Sequence, residues 1–363
     1  MGVSRMENKR VLYAASTMSH INNFHLDCID ALKREGYTVS IMAHGNGADF
    51  DVPFEKRLFS RRNRQARRMI ADILNRECFE LAVLNTSLAA FHIRAAMSRR
   101  GRCRTVNIVH GYLFSDKTAL AKRLLLIVAE WLMRRRTDRI ITMNEYDYIA
   151  AKKYSLAKDI RRSLGMGFSL RPQISDADNL RREFFGCGRF VITFVGELSK
   201  RKNQSFLISA LPQLTQRIRG CTLCLVGTGD ELSSLRSLAD RLGVAGHVVF
   251  TGYRADACDF IRASDLYVSA SHSEGLPHNV LEALALGKTV LLSDVKGHSD
   301  LISDGINGYL YEPDNLTDFV NKTFQIYNNN TLNAKKIQLS CNKYFKENAL
   351  PIMLALIKGD CIR

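Results

Sequence analysis

The sequence predicts an α/β protein built from two doubly wound parallel sheets. Short apolar or β-branched runs alternate with stretches of helical period along most of the 363 residues, which is the pattern of parallel strands covered by helices. The alternation stops once, at residues 170–188, where polar residues, Pro172 and two glycines gather. A chain of this length and ordinary composition has room for two domains, so the break predicts the boundary between two halves.

Five strands are predicted in each half, each followed by a helical stretch, the first of which covers residues 22–34. The ligand of a doubly wound sheet lies at the carboxyl ends of its strands, so the site is expected in the cleft between the halves. The predicted strands cover residues 10–15, 38–43, 81–84, 105–109, 139–142, 190–195, 221–226, 247–250, 265–268 and 289–292.

These elements predict a four-part organisation. We expect an N-terminal domain over residues 1–169, a linker over 170–188 and a C-terminal domain over 189–332. The last segment, residues 333–363, is expected to be helical and is a candidate to pack back on the N-terminal domain.

Neither a membrane span nor a leader is predicted. The longest apolar run, residues 124–129, has six residues, whereas a spanning helix needs ~20. Residues 11–15 are too short for the core of a signal peptide, and Met6 stands where a myristoylation motif beginning at Gly2 requires Ser or Thr. We therefore expect a cytosolic protein with free thiols.

Cys221 and Cys224 are the two cysteines whose spacing suggests a metal site. They lie in a predicted strand, where residues three apart face opposite sides, and no second pair follows at zinc spacing. We expect two buried thiols.

Positive charge is concentrated in the first half of the chain. The net charge is +16, of which residues 1–168 supply +14, much of it in the runs over residues 61–68 and 134–136. Such a field attracts polyanions, either nucleic acid or an anionic membrane surface. Solvated helix faces are the alternative explanation for a single run.

The strongest candidate site is the segment Ser-Glu-Gly-Leu-Pro-His-Asn-Val-Leu-Glu at residues 273–282. Pro277 suits the first helical position and Gly287 the helix end. Glu274 is therefore expected in the loop before a helix, and Glu282 in the second turn of that helix.

This arrangement suits a phosphate flanked by hydroxyl groups. Gly275 permits a tight turn, which aims the backbone N–H groups of Leu276, His278 and Asn279 at the cleft. Such N–H groups at a helix start attract phosphate. The two carboxylates repel phosphate, and suit instead the hydroxyl groups of a sugar and of a ribose.

Two Glu residues separated by seven others around Gly-Leu-Pro resemble the signature of retaining glycosyltransferases of family 4. Members of this family have the GT-B fold of two facing Rossmann-like domains. In the first half, the His-Gly segment resembles that of the members that make capsules and exopolysaccharides. The other matching segments are residues 108–112, 139–154, 194–203, 226–231 and 250–254, so the resemblance extends over residues 8–330.

The resemblance implies a role for each matching residue. Glu282 would bind the ribose, Glu274 the donor sugar, and His110 would lie near the reacting carbon. Lys202 would neutralise the diphosphate, a role that charge also supports, because the leaving nucleoside diphosphate gains negative charge in the transition state. The other implied donor-binding residues are Gly196, Lys200, Arg201, Gly227, Gly229, Arg254, Gly275, Leu276, Pro277, His278 and Asn279.

Two segments depart from the family pattern. Glu197 stands where a basic residue often follows the glycine, so Lys200 and Arg201 are the candidates to compensate. Residues 16–20, Ser-Thr-Met-Ser-His, replace paired glycines, so contacts to the acceptor and to phosphate are expected to differ there.

The candidate residues also have simpler explanations. Glu274 and Glu282 fit a loop charge and a helix-surface charge, and His110 fits a partly buried histidine at a strand end. His20 and His25 are weaker candidates than His110.

No metal and no cofactor is expected. A metal-dependent glycosyltransferase would hold a divalent ion with an Asp-x-Asp pair at a strand end. The two pairs, Asp49 with Asp51 and Asp176 with Asp178, lie in a glycine-rich loop and in the predicted linker, where they are expected to be turn acids.

The expected function is retaining transfer of a sugar from a nucleotide-sugar, taken to be a UDP-sugar, to a lipid-linked saccharide during assembly of a bacterial surface polysaccharide such as capsule, exopolysaccharide or O-antigen. One alternative is another GT-B enzyme such as a nucleotide-sugar epimerase. The other is a basic nucleic-acid-binding protein. Its basic runs lack interleaved aromatic residues for base stacking, so no nucleic-acid partner is expected.

Peripheral attachment to the inner face of the cell membrane through the N-terminal domain is also expected. The basic run over residues 61–68 would attract anionic lipids. Core packing is the alternative explanation for an apolar stripe beside the second basic run. The stripe consists of Leu120, Leu124, Ile127, Val128, Trp131 and Leu132.

Overall fold

The computed structural model describes residues 9–55, 60–98, 103–116, 118–329 and 331–360. The chain forms two compact units. The first runs to Gly167 and takes up the chain again from Lys346, and the second runs from Phe168 to Phe345.

The first unit contains a seven-stranded sheet in the order β3-β2-β1-β4-β5-β6-β7, with every neighbouring pair parallel. The order reverses between β1 and β4, which is where doubly wound sheets bind their ligands. The strands are β1 (Arg10–Thr17), β2 (Thr38–His44), β3 (Phe50–Asp51), β4 (Leu81–Asn85), β5 (Arg104–Val109), β6 (Arg139–Thr142) and β7 (Asp159–Arg162).

The central strands of this sheet are buried on both faces. All of β4, and β1 from Val11 to Ala15, are inaccessible to solvent, which explains why these strands read as continuous apolar runs. The helices of the first unit up to Gly167 are α1 (Met18–Phe24), α2 (Leu26–Arg34), α3 (Arg61–Glu77), α4 (Ser87–Ala96), α5 (Leu120–Met133) and α6 (Glu145–Lys153).

The helix predicted over residues 22–34 is in fact two helices, α1 and α2, that meet at His25. α1 begins directly after β1 because Thr17 caps it, its hydroxyl accepting from the backbone N–H of His20 at 3.3 Å. A side-chain cap therefore replaces the glycine turn at this position.

The apolar stripe on α5 faces outward, contrary to the core-packing explanation. Only Ile127 of the stripe is buried, whereas Trp131 is 42% exposed and the four other members are 50–71% exposed. Arg134 lies over the Trp131 ring at 4.1 Å.

The second unit repeats the same topology with six parallel strands in the order β10-β9-β8-β11-β12-β13. Its order reverses between β8 and β11. The elements are β8 (Val191–Val195), β9 (Thr222–Val226), β10 (Val248–Gly252), β11 (Leu266–Ser269), β12 (Val290–Ser293), β13 (Tyr309–Tyr311), α7 (Ala177–Phe184), α8 (Gln204–Arg217), α9 (Leu232–Arg241), α10 (Ala257–Arg262), α11 (His278–Ala285), α12 (Leu316–Asn328) and α13 (Ala334–Ser340).

The stretch predicted as a linker contains α7 and is part of the second unit. Asp176 caps this helix by accepting from the N–H of Asn179 at 2.8 Å, and Leu180 and Phe185 are buried with Phe260 in one apolar cluster. The helix was not predicted because its composition is polar and it buries only one narrow face. Strands β3, β7 and β13 were not predicted, because β3 and β13 have only two and three residues and three of the four residues of β7 are charged.

The last described helix, α14 (Lys346–Lys358), belongs to the first unit, whereas α13 belongs to the second. Arg104 on β5 and Arg139 on β6 donate to carbonyl groups in the last turn of α14, and Lys346 pairs with Asp27 on α2 at 2.7 Å. The two arginine contacts satisfy backbone carbonyl groups that have no partner within the helix at its C-terminal end.

Cys221 and Cys224 are buried free thiols, as predicted. They lie in different apolar clusters, Cys221 with Ile218 and Cys224 with Phe260, as expected for positions on opposite faces of a sheet.

No helix among the described residues is long and apolar enough to cross a membrane. The myristoylation motif considered at Gly2 lies outside the described residues.

Candidate active site

Three charged side chains, two buried and one exposed, meet at the carboxyl ends of β8 and β11, where the strand order of the second unit reverses. Nζ of Lys202 is 2.7 Å from Oε1 of Glu274, and Nη1 of Arg201 is 3.0 Å from Oε2 of the same carboxylate. Glu274 is 8% exposed and Lys202 is 9% exposed. Glu274 is therefore a loop charge, as the simpler explanation has it, but a buried and paired one.

The charges in this cluster keep Glu274 ionised. Burial by itself raises the pKa of a carboxyl group, but the charges of Lys202 and Arg201 outweigh burial and lower the pKa of Glu274 to about 2. An ammonium has three hydrogen-bond donors, so Lys202 can bind Glu274 and still donate to an anion beside it.

The loop that carries Glu274 is supported from the loop after β12. The N–H of Glu274 donates to the carbonyl of Lys296 at 3.2 Å. Gly297 has a φ of +84°, and a Cβ there would lie 2.8 Å from the carbonyl oxygen of Glu274, so this close approach requires glycine. The sequence motif did not include Gly297.

Glycines of the predicted nucleotide-side loops also allow close backbone contact. Gly227 has a φ of +144°, and a Cβ there would lie 2.0 Å from the carbonyl oxygen of Gly196. A Cβ at Gly229 would lie 2.2 Å from the carbonyl oxygen of Leu198. These glycines let the loop after β9 lie directly on the loop after β8. Glu197, in the loop after β8, has an exposed side chain.

The helix predicted after Glu274 is confirmed. α11 begins at His278 with Pro277 as its N-cap, one position later than predicted, and it stops before Gly287, whose φ is +70°. Gly275 and Leu276 lie in the preceding loop, and Glu282 lies in the second turn of the helix.

Three polar side chains of α11, those of His278, Asn279 and Glu282, are half-buried. Burial lowers the pKa of His278 to about 4 and raises the pKa of Glu282, against the opposing charge of Arg171. Asn279 donates through its side-chain amide to the carbonyl of Val195 at the end of β8. Glu282 is therefore a half-buried charge on the helix.

Arg254, a predicted donor-binding residue, is held by an acidic neighbour. Its guanidinium donates to both carboxylate oxygens of Asp256, at 2.8 and 2.7 Å, and Asp256 also accepts from the Ser175 hydroxyl at 2.9 Å. Lys200, in contrast, is exposed.

Three histidines meet at the carboxyl edge of the first sheet. His20 and His25 follow β1 and His110 follows β5, and the three ring centroids lie 4.9 to 5.0 Å apart. Nδ1 of His25 is 2.9 Å from the Tyr13 hydroxyl, and Nε2 of His110 is 3.2 Å from Oδ1 of Asn85. The sequence singled out His110, whereas the fold groups all three.

The three-histidine group combines polar ring atoms with burial. Burial lowers the pKa of His20 to about 4, so this ring is neutral at pH 7. One ring nitrogen of each histidine lies within 4.8 Å of the others, which is close enough to hold a metal ion.

Thr86, between β4 and α4, lies at the same edge and was missed by the sequence analysis. Its φ is +62°, an unusual conformation for a β-branched residue. Its hydroxyl lies 2.6 Å from that of Ser16 and accepts from the Ser16 N–H at 3.0 Å. Strain of this kind is concentrated at functional sites.

The Asp-x-Asp pairs behave mostly as predicted turn acids. Asp49 accepts from the N–H of Ile41 at 2.7 Å, and Asp176 caps α7. Asp51 lies in the short strand β3 and binds His44 at 2.9 Å.

Residues 177–347 match the protein family described as Glycosyl transferases group 1. This stretch covers nearly all of the second unit, including the Lys202, Arg201 and Glu274 cluster.

Relatives of known name match larger parts of the chain. EpsD of Bacillus subtilis strain 168, which is named as a glycosyltransferase, is 28% identical over 333 residues, which cover 88% of this chain and 87% of EpsD. An Escherichia coli enzyme, the UDP-Gal:alpha-D-GlcNAc-diphosphoundecaprenol alpha-1,3-galactosyltransferase, is 24% identical over 270 residues, which cover 72% of this chain and 70% of the enzyme.

Solved structures match the fold over almost the full length. Anabaena HepE in complex with UDP and glucose superposes with a TM-score of 0.77 at 20% identity, covering 97% of this chain and 100% of HepE. Sucrose-phosphate synthase of Thermosynechococcus elongatus gives a TM-score of 0.79 at 15% identity, covering 97% of this chain and 98% of the synthase.

The predicted GT-B fold is confirmed by the two Rossmann-like sheets and by these structural matches. The group 1 domain and the named relatives support a glycosyltransferase as the class of protein.

Proposed function

We propose that the protein is a retaining, metal-independent glycosyltransferase of family 4 that moves a sugar from a nucleotide-sugar to a lipid-linked saccharide during assembly of a bacterial surface polysaccharide. The observation that carries this proposal is the buried pair of Lys202 and Glu274, joined by the exposed Arg201, at the strand-order reversal of a group 1 domain.

The proposed donor is a UDP-sugar. The E. coli relative is named for UDP-Gal, and HepE was crystallised with UDP and with UDP-glucose. In our proposal Glu282 binds the ribose, the start of α11 receives the diphosphate, and Glu274 binds hydroxyl groups of the sugar. His110 in the first unit would contact the donor sugar near the reacting carbon.

The chemistry proposed for Lys202 follows from its charge and burial. As the bond between the sugar and the diphosphate breaks, negative charge grows on the departing phosphate oxygen. A preorganised cation in a water-poor site stabilises that charge, and Glu274 holds the ammonium in place at 2.7 Å. The departing phosphate then takes the proton of the acceptor hydroxyl, and the configuration at the anomeric carbon is retained.

The proposed acceptor is a saccharide carried on a membrane lipid, so the enzyme would work on the cytoplasmic face of the membrane. The E. coli relative is named for a diphosphoundecaprenol-linked acceptor. The outward apolar face of α5 and the basic stretch 61–68 at the start of α3, in which Arg61, Arg62, Arg64 and Arg68 are exposed, suit a surface of anionic lipid.

A donor screen with the purified protein tests the proposal. UDP-sugars should raise the unfolding temperature, because a ligand at 100 times its Kd adds ~2.7 kcal/mol to stability, and a matching lipid-linked acceptor should then receive the sugar with retained configuration in the presence of EDTA. Inversion, or strict dependence on manganese, would contradict the proposal. Formation of an epimerised UDP-sugar without acceptor would support the epimerase alternative. Salt-sensitive binding of RNA or DNA would support the nucleic-acid alternative.

A further inference from the structure

An apolar pocket of about 400 Å³ lies between α4 and α5 in the first unit. Side chains from both helices and from the loop after β5 line it. They include Leu88 and Phe91 on α4, Leu113 and Phe114 in the loop, and Leu126 and Ala129 on α5. Its volume falls within the range of pockets that hold small-molecule ligands, and its walls suit a hydrocarbon.

A second, more polar pocket of about 200 Å³ adjoins the first and is lined by His110 and Thr86. The two pockets share Ser87, Tyr112, Leu113 and Glu130 as lining residues, so they meet along one side. The two adjoining pockets are therefore polar at His110 and apolar at α5.

The lining that the two pockets share is charge-balanced and well packed. Both oxygens of Glu130 accept from Nη2 of the buried Arg94, at 3.1 and 3.0 Å, so the carboxylate presents no uncompensated charge to the apolar side. The rings of Tyr112 and Phe114 stack at 4.8 Å. These contacts keep the apolar pocket apolar although it borders a polar one.

The outer side of the apolar pocket continues into the exposed face of α5. Leu113, which lines both pockets, is itself 66% exposed, and Leu125 and Val128 are exposed on the neighbouring turns of the helix. Basic residues, Lys122 before this face and Arg135 after it, flank the apolar surface, which suits contact with the anionic headgroups of a bilayer.

We propose that the pocket between α4 and α5 binds the phosphate-proximal part of the lipid chain of the acceptor. The saccharide end of the same molecule would extend toward His110, and the remainder of the chain would stay in the bilayer along α5. This assignment rests on the proposed function, because it presumes a lipid-linked acceptor, and it adds which residues select the lipid.

Binding of polyprenyl phosphates tests the assignment without knowledge of the saccharide. Each methylene that leaves water tightens binding about fourfold, so farnesyl phosphate should bind more tightly than geranyl phosphate, and methyl phosphate only weakly. Ala129→Phe, which fills the pocket, should weaken farnesyl phosphate binding about tenfold or more. The control Ile149→Phe, at an exposed position on α6, should leave binding unchanged.

Leu88→Phe fills the pocket from the opposite wall and replaces Ala129→Phe if that variant does not fold. In the wild type, a farnesyl phosphate that carries a diazirine should label residues 87–91 or 126–130. The assignment would be overturned by equal affinity for the three phosphates or by labelling of other residues. It would also be overturned if the pocket-filling variants changed only the self-association of the protein. Transfer to lipid-linked acceptors with none of these chain effects would leave the proposed function standing, whereas chain-dependent binding without any sugar transfer would refute the function and keep the pocket.

Discussion

The ammonium of Lys202 lies 2.7 Å from a carboxylate oxygen of Glu274, although the two residues are 72 positions apart in the chain. Arg201 binds the other oxygen of the same carboxylate. A buried charge is strongly unfavourable alone and tolerable when paired. The buried Glu274 carboxylate therefore depends on the two cations for its ionised state, and activity and stability can be separated by changing one or two of these residues.

Replacing Lys202 with Met should lower the rate of sugar transfer about 100-fold or more, because one preorganised donor to developing charge contributes on this scale. The same change should lower the free energy of unfolding by about 3 kcal/mol, since it leaves Glu274 buried with one cation fewer. Initial rates and urea unfolding measure the two effects. Lys202→Met/Glu274→Gln should recover stability but not activity, and Lys335→Met, at an exposed site, should change neither. Wild-type rates in Lys202→Met would contradict the role of the ammonium.

Acid should destabilise the protein through Glu274. Its pKa lies near 2 in the folded chain and 4.5 is its ordinary value, so its contribution is present above about 4.5 and is lost as pH falls toward about 2. The full loss is roughly 3 kcal/mol. Urea unfolding at successive pH values should show a smaller acid-dependent decrease for Glu274→Gln than for the wild type.

Glu282 supplies an internal comparison with the opposite sign. Burial raises its pKa, so its contribution to stability is present at low pH and is lost as pH rises through the folded pKa. Glu282→Gln should therefore gain stability relative to the wild type toward neutral pH. If the free energy of unfolding depended on pH in the same way in Glu274→Gln and Glu282→Gln, the opposite pKa shifts of the two carboxyl groups would be contradicted.

His20 should make the first unit sensitive to mild acid. Its pKa falls from 6.5 to about 4 on burial, so its contribution is present above about 6.5 and is lost as pH falls toward about 4. His20→Phe keeps a ring in the cluster and removes the titrating group. The free energy of unfolding of this variant should therefore change less with pH over this interval. Phe24→Leu, on the same helix, should keep the slope of the wild type. An unchanged slope in His20→Phe would contradict the prediction.

Vesicle binding should depend on both the outward face of α5 and the basic start of α3. Binding should increase with anionic lipid and decrease with salt, because each Lys or Arg near such a surface contributes ~1 kcal/mol. Trp131, the single tryptophan, should shift its emission to the blue on binding. Co-sedimentation should weaken when Arg61, Arg62, Arg64, Arg67 and Arg68 become Gln, and when Leu124 and Leu132 become Ser. Equal binding to neutral and anionic vesicles would rule out the electrostatic contribution.

Local sequence pattern predicted most of the architecture. The ten expected strands all exist within a few residues of their predicted positions, because buried parallel strands must be continuous apolar runs and amphipathic helices must repeat every 3.6 residues. The positions of Glu274 in a loop and Glu282 in the following helix were predicted for the same reason, since proline and glycine mark helix ends locally. The helix at residues 177–184 was missed because its composition is polar, although Asp176 caps it and one narrow face is apolar.

The sequence by itself determined the two α/β halves and the glutamate motif, since both depend on neighbouring residues. Only the tertiary structure decided which distant groups meet: Lys202 with Glu274, His20 and His25 with His110, and the pocket between α4 and α5. It also decided that the α5 stripe faces outward, because periodicity shows that a helix has an apolar side but not what that side contacts. Parallel sheets bring the carboxyl ends of strands that are far apart in sequence to one edge, so the sites are products of strand order rather than of local pattern.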